Sequence, residues 1–171
     1  MTRLEHIQSK IVSIEEAQRR VAAWNVKNEK VVFTNGCFDI LHKGHVTYLV
    51  KSAELGNRLI VGLNTDASVK RQGKGEERPI NSEDARSFVL AGLSFVDLVV
   101  LFEENTPFDL IQHLNPDVLV KGADYDPEET DSTSKKYIVG SDIVRDNGGL
   151  VKVIDLEEGF STTNIVNKLK S

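Results

Sequence analysis

A single cysteine, Cys37, stands in a chain of 171 residues. Its isolation excludes an internal disulfide framework and a cysteine-rich zinc centre, and it fits a reducing compartment. No apolar run reaches the roughly 20 residues needed to cross a bilayer. Met1 to Lys10 also lack the apolar core of a secretory signal. The expected location is therefore the cytoplasm, with no membrane partner. Positive charge is scarce as well: 21 Lys and Arg against 26 Asp and Glu leave a net charge of −5. That argues against a general nucleic-acid-binding surface and leaves room only for local basic sites. No internal repeat or linker is visible. What is present is ordinary for a globular domain: 40% hydrophobic and 27% charged residues, close to the average. The length suits one domain with a sizeable core.

Ile14, Ala17, Val21 and Trp24 fall at helical spacing behind a possible capping box, Ser13 with Glu16. This predicts an amphipathic helix over 14–26. Residues 1–28 are read as an N-terminal helical extension packed on a main domain, 29–171. Short apolar runs predict strands at 30–34, 58–63, 96–102, 117–121 and 150–154. Helices are expected over 43–55, 83–93, from Thr106-Pro107 to about Asn115, 138–147 and 162–170. Residues 64–80 and 122–136 read as surface loops. Strands alternate with helices, and the strands are continuous apolar runs. Both features favour a doubly wound, five-stranded parallel sheet covered on its two faces.

In such a sheet, ligands bind at the carboxyl ends of strands, near the point where strand order reverses. The first strand–helix junction reads Thr34-Asn35-Gly36-Cys37-Phe38-Asp39-Ile40-Leu41-His42-Lys43-Gly44-His45. It lacks the Gly-Lys-Ser/Thr ending of a Walker loop, and it is not G-x-G-x-x-G. It offers two histidines three apart at a helix start, hence on one face. Both imidazoles can aim at one spot beside free helix N–H groups, which favour an anion. Gly44 between them leaves room for a phosphate. This suits phosphoryl or nucleotidyl transfer, where donors aimed at non-bridging oxygens lower the barrier. The competing reading is an ordinary turn carrying two surface histidines. A zinc site would need a third ligand, and none is evident. Lys70, Arg71, Lys74 and Arg78 add four cations in a Gly-containing loop, which could close over bound phosphates or simply be solvated.

The stretch Gly36 to His45 resembles the H-x-G-H signature of the cytidylyltransferase-like nucleotidyltransferases. From about Lys30 to Lys168 the chain is similar to the heptose 1-phosphate adenylyltransferases of that superfamily. The similarity includes 59–69, Arg78-Pro79-Ile80-Asn81, 118–125 and Gly159-Phe160-Ser161-Thr162-Thr163. The resemblance implies a Rossmann-like fold and attack by an acceptor phosphate oxygen on the α-phosphate of ATP, with no covalent enzyme intermediate. It implies that His42 and His45, with Lys74 of the loop, are catalytic. It places Asn35, Gly36, Cys37, Phe38, Gly44, Lys121, Gly122 and the Ser161-Thr162-Thr163 cluster at the nucleotide. It places Asp39, Arg78, Arg86 and Asp124 at the acceptor. Residue by residue, plainer readings stand beside these: a surface salt bridge for Arg86 with Glu83 or Asp84, helix capping for the hydroxyl cluster, a capped turn for Asp124. Asp39 could instead orient a histidine or a hydrated magnesium ion. Cys37 is read as packed under the loop, not as a nucleophile.

No metal-ligating residue is assigned, and Mg²⁺ is expected to arrive on the ATP phosphates. The partners expected are ATP and a sugar 1-phosphate, the latter supplied by a separate kinase, and a second copy of the chain in a homodimer. The alternatives are another acceptor, as in glycerol-3-phosphate cytidylyltransferases, and a nucleotide-binding module without turnover.

Overall fold

A computed structural model describes residues 1–73, 75, 77–157 and 159–170, the side chain of Lys170 excepted. In chain order the elements are α1 (Arg3–Gln8), β1 (Ile11–Val12), α2 (Ile14–Val26), β2 (Val31–Gly36), α3 (Lys43–Ala53), β3 (Arg58–Asn64) and α4 (Asp66–Arg71). They continue as α5 (Glu83–Ala91), β4 (Leu98–Phe102), α6 (Phe108–Leu114), β5 (Val118–Gly122), α7 (Ser141–Asp146), β6 (Leu150–Ile154) and α8 (Thr162–Lys170). All six strands are parallel, in the order β1-β4-β3-β2-β5-β6.

The strands are apolar throughout because both faces are covered, so neighbouring residues serve opposite layers. In β2, Val31 and Phe33 join the layer of α2, α6 and α7 through Ala17, Val21, Leu110, Ile111 and Val144. Val32 joins the other layer, with Leu49 of α3 and Leu90 of α5. Truncating a fully buried residue such as Phe33 to alanine would cost about 3–5 kcal/mol. Gly62 on β3 is set by this packing: a Cβ there would lie 2.7 Å from Cζ of Phe33.

The sheet has six strands where the sequence reading counts five. The extra one, β1, is only two residues long, too short for any periodic signal. It pairs with Val99 and Val100 of β4, so the N-terminal segment contributes to the sheet as well as to the packing of α2. Helix α1 and helix α4 are also additions. Helix α4 lies inside the expected loop 64–80. Thr65 caps it by accepting from the Ser68 N–H at 3.2 Å, and Val69 is its buried apolar residue, a stripe too narrow to read as amphipathic. The helix expected over 138–147 forms only at 141–146, and Pro107 stands at the cap position, before the first helical residue Phe108.

Consecutive strands run from β2 to β4 on one side, whereas β5 and β6 lie on the other. Strand order therefore reverses between β2 and β5. The crevice at their carboxyl ends opens between Asn35-Gly36 and Lys121-Gly122.

Candidate active site

Helix α3 begins at this crevice. His42 is its N-cap, in extended conformation, and its Nδ1 accepts the backbone N–H of His45 at 3.3 Å. An Nδ1 that accepts leaves the ring proton on Nε2, so His42 presents an N–H donor. The His45 ring stacks on it, with centroids 3.8 Å apart and planes 18° apart. Phe38 meets the edge of His45 at 5.3 Å. A Cβ on Gly44 would lie 3.0 Å from Cβ of Phe160 and 3.1 Å from the His42 ring, so any side chain between the histidines would crowd both neighbours.

Burial lowers the pKa of His42. It pushes that of His45 down to about 4, with the neighbouring His42 acting in the same direction and the Ile40 backbone opposing both. Nδ1 of His45 is buried with no partner at hydrogen-bonding geometry among the described residues. At neutral pH the pair is thus two uncharged imidazoles, one carrying an unsatisfied polar atom. An incoming anion reverses both disadvantages, since its charge favours protonation of either ring.

The hydroxyl cluster reaches the same place from the far end of the chain. Ser161 and Thr162 line a cavity of about 310 Å³ together with His42, His45, Lys121 and Phe160. Thr162 and Thr163 line its neighbour with His45 and Arg78. Ser161 also caps α8, accepting from the Asn164 N–H at 3.0 Å. The segment is held down by Phe160, whose ring lies 6.4 Å from His42. Lys43 sits 5.4 Å from the centre of that ring and 3.1 Å from Glu157. Lys43 thus stands against Phe160, the residue before the hydroxyl cluster.

Lys121 sits between β5 and β2. Its Nζ donates to Oδ1 of Asn35 at 3.2 Å and lies 4.9 Å from the Tyr125 ring centre. Below it, Thr34, Tyr48 and the Val120 carbonyl form a buried knot, with 2.7 Å between the two hydroxyls. Burial raises the Tyr48 pKa, so the residue acts as a neutral tie from α3 to both strands. Tyr48 does not stand out in the sequence, because a tyrosine on the apolar face of a helix reads as core.

Asn35, Gly36, Cys37, Phe38, Gly44, Lys121 and Gly122 all line the histidine cavity. Asp124 lines it too, its carboxylate pressed against Gly122. Two expectations need correction. The Asp39 side chain is fully buried: one oxygen accepts from Arg78 Nε at 2.6 Å and from the Ile80 N–H at 2.9 Å, the other from the Asn81 N–H at 2.9 Å. It makes no described hydrogen bond to a histidine; both oxygens are taken in fastening 78–81 to the first motif, on the wall of the cavity that His45, Arg78, Thr162 and Thr163 also line. Arg86 is 2% exposed. Its guanidinium donates to the carbonyls of Asn81, Cys37 and Asn64 and to Asp66 at 2.7–3.0 Å. It is neither a surface ion pair nor a phosphate ligand; it locks the ends of β2 and β3 together. Arg78, held by Asp39, does reach a cavity wall, beside Thr162 and Thr163. Lys74 lies outside the described residues.

An open parallel sheet with paired imidazoles at its switch point defines a nucleotidyltransferase-type α/β fold. The chain belongs to the cytidylyltransferase-like family, whose model matches residues 33–168. It is 52% identical over 162 residues to the bifunctional protein HldE of Magnetococcus marinus, covering 95% of this chain and 31% of that protein. The match to HldE of Campylobacter jejuni subsp. jejuni is 57% over 143 residues, 84% of this chain and 28% of the relative. The chain thus spans about a third of the length of the curated relatives it matches. Among solved structures it is similar to a lipopolysaccharide core biosynthesis protein from Thermoplasma volcanium. That likeness has 28% identity and a TM-score of 0.57 over 75% of this chain and 97% of that one. Pantoate-beta-alanine ligase from Francisella tularensis shares the fold alone, with 15% identity and a TM-score of 0.60 over 94% of this chain and 76% of that one.

Proposed function

We propose that this chain transfers AMP from ATP to D-glycero-β-D-manno-heptose 1-phosphate, forming ADP-heptose and pyrophosphate. The observation that carries the reading is the His42–His45 stack at the head of α3, which shares one cavity with Ser161 and Thr162 and, through His45, the neighbouring one with Thr162 and Thr163. Support for the acceptor comes from the motif resemblance, together with high identity to HldE proteins over most of the chain.

The triphosphate lies along the α3 and α8 N-termini, where helix N–H groups, Ser161, Thr162 and Thr163 meet its oxygens. A phosphate oxygen of the acceptor attacks the α-phosphorus, and the bond from that phosphorus to the bridging oxygen breaks. Pyrophosphate leaves with that bond's electrons. His42 donates its Nε2 proton in a hydrogen bond to the charge spreading over non-bridging oxygens, and His45 supports it from behind. Both enter as neutral donors, and a proton drawn from solvent onto the pair as ATP binds would strengthen them. Arg78 helps hold the leaving group. Lys74 is proposed to close over the phosphates. Asp39 and Arg86 keep the loop in place.

Mg²⁺ is proposed to come with ATP, held by phosphate oxygens and water, where it supplies charge neutralisation. Among the described residues no three His, Cys, Asp or Glu side chains converge, and Asp39 is already committed, so no protein carboxylate is assigned to the ion. Among the described residues no helix is long and apolar enough to cross a membrane. A cytoplasmic location, a homodimer and supply of the sugar 1-phosphate by a separate kinase complete the proposal.

Pyrophosphate release tests it. Turnover is expected with ATP, Mg²⁺ and the heptose phosphate. Turnover with CTP and glycerol 3-phosphate but not with that pair would overturn the acceptor assignment. ATP binding with no pyrophosphate release from any sugar phosphate would overturn catalysis.

A further inference from the structure

On the other side of the β2 end from the histidines lies a second cavity, of about 370 Å³. That is at the lower end of the roughly 300–1,000 Å³ of small-molecule sites. The two cavities share Asn35, Gly36, Cys37, Lys121 and Tyr125. Their walls differ in chemistry. The histidine cavity is flanked by Phe38, Tyr48, Leu156 and Phe160, apolar and aromatic surface suited to a nucleoside. The second carries four carboxamides, Asn35, Asn64, Gln72 and Asn105, and Lys121 is the one charged residue among its described lining.

These carboxamides are oriented. Oδ1 of Asn35 accepts from Lys121 at 3.2 Å, Oε1 of Gln72 from the Cys37 thiol at 3.2 Å, and Oδ1 of Asn105 from Arg71 Nε at 3.0 Å. Asn64, 2% exposed, donates to Ser68 at 3.0 Å. In Asn35, Gln72 and Asn105 the carbonyl oxygen already accepts from a protein donor, so the NH₂ group is the part offered to a ligand, whereas the Asn64 NH₂ is taken by Ser68. Uncharged donors fixed before binding match sugar hydroxyl oxygens, which accept as well as donate. Among the described lining residues only Lys121 is charged.

We infer that this second cavity holds the polyhydroxylated part of the acceptor, and that Gln72 and Asn105 are specificity-determining residues that donate to its hydroxyl oxygens. The acceptor phosphate then lies at Lys121, where the cavities meet, with its nucleophilic oxygen towards the histidine cavity. The pyrophosphate leaves on the opposite side, past His42 and Ser161. This inference rests on the nucleotidyl-transfer reading and adds residues to it that the sequence does not mark.

Gln72 and Asn105 are both exposed, so Gln72→Leu and Asn105→Leu leave the fold intact. In each variant the KM for D-glycero-β-D-manno-heptose 1-phosphate should rise about tenfold, the loss of one hydrogen bond, while the KM for ATP stays within about twofold. An unchanged acceptor KM, or a raised ATP KM in its place, overturns the assignment. Calorimetric titration of the same sugar phosphate, with a non-transferring α,β-methylene analogue of ATP bound, separates the two readings. If the parent binds it without turnover and both variants lose that binding, the cavity assignment stands and the transfer reading falls. If the parent neither turns it over nor binds it, both fall.

Discussion

Two regions build this site in different ways. The β2–α3 junction is secured from inside. Asp39 and Arg86 are buried, and their hydrogen bonds reach Asn64, Asp66, Arg78, Ile80 and Asn81 as well as Cys37 of the junction itself. The segment before α8 is secured from outside, through a Lys43–Glu157 pair whose lysine side chain is 65% exposed and through Phe160 against His42. Buried, fully satisfied polar networks hold one geometry, whereas exposed ion pairs are weak and screened. The histidines are therefore preset, and the hydroxyl cluster is the half that ligand binding can adjust.

The comparison breaks most sharply at Arg86. Arg86→Ala leaves Asp66 and three carbonyls without their donor. Removing one partner of a buried pair costs about 3–5 kcal/mol, and in a chain of this size each kcal/mol lowers Tm by roughly 2–4 °C. Thermal unfolding should show a drop of about 10 °C. Arg86→Lys should recover little, because one ammonium cannot span the same acceptors. A Tm unchanged by Arg86→Ala would mean that the junction is not held this way.

His42→Ala and His45→Ala should lower kcat by about 10²–10³, the usual effect of losing one oxyanion donor, with a Tm loss of only a few degrees in His42→Ala from the missing α3 cap. The His45 pKa of about 4 adds a pH signature. The folded state refuses a proton that the unfolded chain accepts near its ordinary pKa, about 6.5. Stability is thus complete above pH 6.5 and declines as pH falls from 6.5 towards 4. A Tm profile over pH 5–6.5 should flatten in His45→Gln. A slope equal to that of the parent would assign it to other groups.

The smallest effect sharpens the other half. Lys43→Ala or Phe160→Ala should change stability by under about 1 kcal/mol and raise the ATP KM a few-fold with little effect on kcat. A kcat loss as large as that of the histidine variants would show that the α8 segment is as rigidly required as the junction.

Much of this was legible in the residue order where the signal is local. Ser13 caps α2 by accepting the Glu16 N–H, and the His-x-x-His spacing alone puts two rings on one helix face. The hydroxyl cluster does start a helix. Arg86 was misread because a charged residue one turn into a helix beside Glu83 and Asp84 looks exposed; its partners are distant in sequence. Asp39 was misplaced for the same reason, since the backbone amides it accepts lie 41 and 42 residues away. Gln72 and Asn105 carry no motif at all, and their meaning comes from the cavity they share.

The alternation of apolar strands and helices, the caps and the histidine spacing follow from contacts within a few residues, so they were readable one turn at a time. The order of strands, the reversal between β2 and β5, the burial of Arg86 and the uncharged state of the histidines were not. Each depends on which distant segments exclude water from the same place, and burial of that kind exists only once the sheet is assembled.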